Sequence, residues 1–267
     1  MRLSVGDVVR VWMDRPGSAR PRLGAFVDGD LRIVHEDEDL IVVDKPPGLL
    51  TVPLDRRTAA LSVFDLIERH WRSQQKRRPL IVHRIDRDTS GLVVFAVHAR
   101  AQHALKEQFR HREPERVYLA VVSGVPQPAE GEWRDRLVWS QAALIQRGVR
   151  ADDPRGVEAI SAYRVLEAFG SAASLLEVRL ETGKQNQIRV QAQLHGHPLI
   201  GERRYVGADD VAGARRSVPF PRQALHAYRL AFRHPADGSP LRFEAPVPTD
   251  LAELLEEFRV SGSTRRR

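Results

Sequence analysis

Residues 80–97 read LIVHRIDRDTSGLVVFAV, and this stretch decides the fold. Two apolar runs, 80–82 and 92–97, hold between them a polar block of His83, Arg84, Ile85, Asp86, Arg87, Asp88, Thr89, Ser90 and Gly91. The second run is short, uninterrupted and rich in β-branched residues, which predicts a strand buried on both faces. A polar loop held by buried strands is where sites are built. A plain turn uses the same residue types, with Asp and Ser bonding their own backbone and Gly91 supplying a positive φ. From the residues alone both readings stand.

Outward from this block, residues 31–34 and 40–43 read as two strands around the acidic turn 36–39. The resulting hairpin ends in Lys45-Pro46-Pro47-Gly48, which neither a helix nor a central strand continues. Residues 58–75 carry Leu61, Phe64, Leu66, Ile67 and Trp71 at helical spacing, with Ser62 as a cap. Residues 98–112 predict a second helix, with Ala101, Ala104, Leu105 and Phe109 on one face, and 116–122 a strand. From residue 159 onward strand-like runs dominate, at 159–169, 174–183, 188–196, 225–235 and 241–248, and a last helix spans 251–258 behind Thr249 or Asp250. Residues 4–12 read as a strand and 13–25 as linker. Strand runs with few helices between them predict an α+β fold, not alternating βαβ units.

Lys+Arg 42 against Asp+Glu 35 gives a formal charge of +7, and only four of those cations are lysines. Guanidinium grips phosphate in a bidentate fork, so a polyanion is the first partner to consider, although a solvated Arg-rich surface gives the same count. The absence of cysteine excludes disulfides, thiolate metal sites and thiol nucleophiles. No stretch approaches the ~20 apolar residues of a membrane span, and the first residues lack the apolar core of a secretory signal. A cytoplasmic protein is expected. His83, His111, His195, His197 and His226 show no ligand spacing with carboxylate support, so no metal site is expected.

The block HRIDRDTSG resembles the H-R-L-D-x-x-T-S-G signature of the RluA-type pseudouridine synthases, with Ile85 in place of Leu. Four further blocks are similar to that family in order: IVHEDEDLIVVDKPPGLLTVP at 33–53, ERVYLAVVSG at 115–124, LETGKQNQIRVQAQLHGHPLIGERRYVG at 180–207 and LHAYRLAFRHP at 225–235. A lone HRxD is weak, but five ordered blocks are specific. The resemblance implies a pseudouridine synthase fold, a long, mixed, mostly antiparallel sheet with flanking helices and loops. It also implies an isomerase of RNA uridine that needs no cofactor and works as a monomer on ribosomal or transfer RNA.

The implied catalytic residues are Asp86, Arg189 as its ion-pair partner, and Tyr118 against the target base. Asp86 either adds covalently to the sugar or base or removes a sugar proton, and both routes need its ionised form. Implied substrate-binding residues are His83, Arg84, Arg87, Thr89, Lys184, Gln187, Ile188 and Leu225. His83 also reads as a structural hydrogen bonder and Leu225 as a wall of the uracil pocket. Arg56, Arg57, residues 76–78 and 110–116, Arg203 and Arg204 are further candidates for phosphate contact.

Where the family reads T-G-R-T-H-Q-I-R, this chain has Thr182-Gly183-Lys184-Gln185-Asn186-Gln187-Ile188-Arg189. That departure motivates an alternative, a non-catalytic RNA-binding or ribosome-assembly factor on the same fold. A glycosidase using Asp86 and Asp88 is weaker, because its carboxylates must straddle a sugar from separate supports. The expected organisation is a remnant resembling the end of an S4 RNA-binding domain plus linker at 1–27, the catalytic domain at 28–259, and a disordered basic tail at 260–267.

Overall fold

The computed structural model describes residues 31–53, 60–72, 78–205 and 219–264, the last without side chains beyond residue 261. The strands are β1 (Arg32–Glu36), β2 (Leu40–Lys45), β3 (Leu80–Ile81), β4 (Ser90–Ala96), β5 (Glu115–Ser123), β6 (Glu130–Ser140), β7 (Ile145–Val149), β8 (Val157–Phe169), β9 (Ala173–Leu180), β10 (Leu225–Arg233) and β11 (Pro240–Glu244). The helices are α1 (Val63–Arg72), α2 (Ala99–Arg110), α3 (Gln187–Leu194) and α4 (Thr249–Thr264). The strands form one 11-stranded sheet in the order β1-β2-β4-β10-β5-β9-β8-β6-β7, with β11 beside β10 and β3 beside β4. Among the described residues β4 and β10 pair in parallel, and the other pairings are antiparallel. This is the mixed, mostly antiparallel α+β sheet that the sequence predicts.

Helices on both faces explain the continuous apolar runs of the central strands. Ile41, Val43, Val93 and Phe95 pack with Leu66, Ile67 and Trp71 of α1, while Leu40, Val42, Leu92 and Val94 meet Ala101 and Leu105 of α2. Further along, Tyr118, Ala120 and Val122 share the α1 face with Ile188 and Ala192 of α3. Leu119 and Val121 face Leu251, Leu254, Leu255 and Phe258 of α4 on the other. α1 starts at a reciprocal cap, in which the Ser62 backbone N–H donates to Asp65 Oδ2 at 3.0 Å and the Asp65 N–H to Ser62 Oγ at 3.3 Å.

The structure corrects three expectations. Residues 188–196 are not a strand, because 187–194 form α3. Gln187 to Ala192 are all buried, and a helix enclosed on every side lacks the amphipathic period that would reveal it. Between 125 and 158, where the sequence predicts no element, β6 and β7 form a hairpin whose mostly half-buried and exposed residues carry no clean alternation. The last helix runs to Thr264, so residues 260–264 of the expected tail are helical. The strand and linker expected at 4–25, the S4-like remnant at 1–27, Arg56, Arg57, Lys76, Arg77 and residues 265–267 lie outside the described residues. No described helix is long and apolar enough to cross a membrane.

Candidate active site

Parallel strands start at the same edge of a sheet, so the β4–β10 pairing sets the loops that precede them, 82–89 and 219–224, side by side. The backbones approach so closely there that a Cβ at Gly91 would lie 2.2 Å from the Ala227 carbonyl oxygen, at a φ of +109°. Only glycine fits.

The 82–89 loop is clamped from two directions. Thr51 Oγ1 donates to the Ile85 carbonyl at 2.7 Å and accepts from the Ile85 N–H at 3.3 Å. The Gly48 N–H and Lys45 Nζ donate to the Arg87 carbonyl at 2.9 and 2.7 Å. The residues on either side of Asp86 are thus held by segment 45–51, and the Thr89 N–H closes the turn onto the Asp86 carbonyl at 3.2 Å. Lys45 is fully buried and also donates to Pro46 and Leu49 carbonyls, which uses all three hydrogens of an ammonium. Burial pushes its pKa down to about 7, against the pull of Asp88 and Asp86. From the 219–224 loop, Arg222 Nη1 donates to the carbonyls of Asp88 and Leu225, both at 3.1 Å. Its Nε and Nη2 grip Asp250 at 2.6 and 2.9 Å.

So anchored, Asp86 Oδ2 accepts a hydrogen bond from Arg189 Nη1 at 3.0 Å. Arg189 is not free to move. Its Nε and Nη2 bind Glu202 in a bidentate pair at 2.7 and 2.8 Å, and its Nη1 also donates to Asn186 Oδ1 at 3.2 Å. Glu202 is completely buried and accepts the N–H groups of Arg203 and Arg204 as well. Burial opposes the Arg189 charge, but Glu202 and Asp86 outweigh it and raise its pKa; Arg189 in turn holds Glu202 below its usual value despite burial. Asn186, left-handed at φ 53° ahead of α3, donates from Nδ2 to Tyr205 Oη at 2.9 Å. Counting Asp86, Arg189 and Glu202, the cluster keeps one net negative charge.

Asp86 and Arg189 open into a cavity of about 580 Å³, and of the eleven site residues expected from sequence ten line it. Arg87 lies instead on a smaller cavity of about 120 Å³ on the other side of Asp86, together with Arg84, Arg203 and Arg204. Tyr118 projects into the larger space with no hydrogen-bond partner for its hydroxyl among the described residues. Burial and the nearby Asp86 raise its pKa, while Arg116 opposes them. Ile188 and Leu225 supply apolar wall. Three lining side chains bond to the protein itself. His83 Nε2 accepts from the Val94 N–H at 3.1 Å, and burial, aided by Arg116, lowers its pKa to about 3. Thr89 Oγ1 accepts from Gln223 Nε2 at 3.2 Å. Gln187 accepts from Thr182 Oγ1 and the Lys184 N–H and donates to Ile160 and Ser161.

Sequence reading did not single out Glu202 or Thr51, and read Phe109 only as part of a helix face and Lys45 only as the end of a hairpin. Glu202 meets Arg189, Thr51 meets Ile85 and Lys45 meets Arg87 across 13, 34 and 42 positions, beyond any local pattern. Asp37, Asp39 and His234 bring potential ligand atoms within 4.8 Å of one another at the β1–β2 turn. Asp37 Oδ2 there already meets His35 at 2.6 Å, and Asp39 Oδ1 meets His98 at 2.9 Å.

The family described as RNA pseudouridylate synthase matches residues 39–194. A Chlorobaculum parvum protein described as an uncharacterized RNA pseudouridine synthase is 38% identical over 250 residues, 87% of this chain and 75% of its own. Ribosomal large subunit pseudouridine synthase D of Xanthomonas campestris pv. campestris is 38% identical over 87% of this chain and 70% of its own. Its namesake in Nitrosomonas europaea is 39% identical over 86%, this chain spanning 65% of it. The solved structure of human RNA pseudouridylate synthase domain containing 4 shares the fold, with a TM-score of 0.69 at 23% identity over 85% of this chain and 93% of that one. This chain therefore belongs to the RluA-type RNA pseudouridylate synthases and is an RNA pseudouridine synthase.

Proposed function

We propose that the enzyme acts on a defined uridine of structured RNA, ribosomal or transfer, with Asp86 as its catalytic carboxylate. The observation that carries this reading is the 3.0 Å ion pair between Asp86 and Arg189, open to a cavity shared with Tyr118. In the reaction the C1′–N1 bond of uridine breaks, the uracil turns, and a C1′–C5 bond forms while C5 gives up a proton and N1 gains one. Asp86 either bonds to the sugar or base and is later released, or takes a proton from the sugar. Each route needs the carboxylate charged. Arg189, fixed by Glu202, holds the carboxylate oxygen in one position through both bond changes. Tyr118 packs against the base beside Leu225 and Ile188.

Reaching C1′ requires the nucleotide to leave its stack. A cavity of about 580 Å³ is of a size that takes a nucleoside-sized group. Arg84, Arg87 and Lys184 are suited to the flanking phosphates, and His83, Thr89 and Gln187 contribute chiefly by shaping the walls. The names of the Xanthomonas and Nitrosomonas relatives specify the ribosomal large subunit, which supports ribosomal RNA as the substrate.

The test is incubation of RNA from a strain lacking the gene with the wild type and with Asp86→Asn. The wild type is expected to form pseudouridine, and the variant to lose at least about 10²–10⁴-fold of that activity. Equal conversion by both would remove Asp86 from its role, and no product from the wild type on any cellular RNA would overturn the reading.

A further inference from the structure

We infer that Arg116 anchors a phosphate of the RNA strand that carries the target uridine, making its end of the large cavity a backbone-binding subsite. This rests on the reading of the cavity as the uridine site. Arg116 and Tyr118 are two residues apart on β5 and therefore point to the same face, so both enter the cavity.

The two most buried arginines among the described residues each have a carboxylate, Arg189 with Glu202 and Asp86 and Arg222 with Asp250. Arg116 has none among the described residues. Its Nη2 makes only long contacts to the Leu180 and Glu181 carbonyls, at 3.4 and 3.3 Å, and its Nε is buried without an acceptor. Arg136 also has a buried Nε without an acceptor, but it does not line the cavity. The neighbouring Glu115 is taken by Arg229 at 3.5 Å. The other charged side chains on this end of the cavity, Arg110, Arg112 and Lys184, are all cations.

A guanidinium withdrawn from water with no counter-ion is unfavourable, and burial together with Arg112 lowers the Arg116 pKa while Tyr118 opposes them. A uracil carbonyl, being neutral, does not offset a full charge. A phosphate does, and it arrives with the nucleotide.

The surroundings are shaped for this group. The guanidinium carbon stands 5.8 Å from the centroid of the Phe109 ring, which is itself stacked on His83 at 4.7 Å. At Gly183 a Cβ would come to 2.5 Å from Arg116 Nη1, so the loop ahead of α3 gives the guanidinium its room by having no side chain there.

Total RNA from a strain lacking the gene, ribosomal and transfer RNA alike, serves as the probe. Its affinity is measured across a salt series for the wild type, Arg116→Gln and Arg116→Lys, with pseudouridine formation followed in parallel. Losing one phosphate contact is expected to make the log Kd against log salt slope shallower by about 0.7–0.9 for Gln, with kcat/KM down on the order of tenfold through KM, while Lys keeps the slope. Arg116→Met, which keeps a stem against Phe109, replaces Gln if thermal melting shows that variant unfolded. An unchanged slope in an active, folded Gln or Met variant, or an equal loss of slope in Lys, overturns the phosphate assignment alone. A wild type that forms no pseudouridine overturns the functional reading beneath it as well.

Discussion

Asn186 stands where the family signature carries histidine, and its amide does two things there: the oxygen accepts from Arg189 and the nitrogen donates to Tyr205. The departure that suggested a non-catalytic binder thus leaves Arg189 held on both sides of its ion pair with Asp86. His83, another residue of the signature, accepts the Val94 N–H within the protein. Its imidazole stays neutral in the fold down to a pKa of about 3, whereas in the unfolded chain it takes up a proton near 6.5. Between those values the unfolded state binds more protons, so stability falls as pH falls through that window and is unaffected above it. Glutamine at 83 can still accept the Val94 N–H but does not titrate. Urea denaturation of His83→Gln across the window is expected to show a pH slope shallower than wild type by up to about 1.4 kcal/mol per pH unit. Identical slopes would mean that His83 is not neutral in the folded protein.

At the scale of elements, the strands flanking the signature were legible because double-sided burial writes an apolar run into the sequence. The hairpin was legible from its acidic turn and the apolar run of β2, and α1 and α2 because one-sided burial writes a period. α3 fits neither case: enclosed all round, its Ile188 and Val190 alternate like a strand. Arg189 was still found, since the motif names the residue without naming the element. What stayed hidden was the clamp on the 82–89 loop, because Thr51 and Ile85 are 34 positions apart. The clamp makes a distinct prediction. Thr51→Val keeps the shape but leaves the buried Ile85 carbonyl and N–H unsatisfied, at about 1–3 kcal/mol. Melting temperature should fall accordingly, and kcat should drop more than KM changes, because Asp86 is then less well held while the cavity walls remain. A variant with wild-type stability and kcat would show that segment 45–51 does not position Asp86.

For the whole molecule, the one parallel step in the described sheet brings two loops from distant parts of the chain to one place, and α4 secures the junction from behind. Arg222, with no exposed side-chain surface, ties Asp250 at the start of α4 to the carbonyls of Asp88 and Leu225. Thr249 and Asp250, expected as caps, instead lie inside the first turn of the helix, where Asp250 links it to the 82–89 loop through Arg222. Removing one partner of a buried pair strands the other charge, at about 3–5 kcal/mol, whereas an exposed pair contributes about 0–1 kcal/mol. Glu167 and Arg259 form such an exposed pair between β8 and α4. Chemical denaturation should thus separate Asp250→Ala, destabilised by several kcal/mol, from Glu167→Ala, which stays near wild type although both cut a link to the same helix. Asp250→Ala should also lose pseudouridine formation under conditions where it remains folded, because the Asp88 and Leu225 carbonyls lose a fixed donor. Equal, small effects in both variants would mean that the 82–89 loop is held without α4, and that the C-terminal helix serves only to cover the sheet.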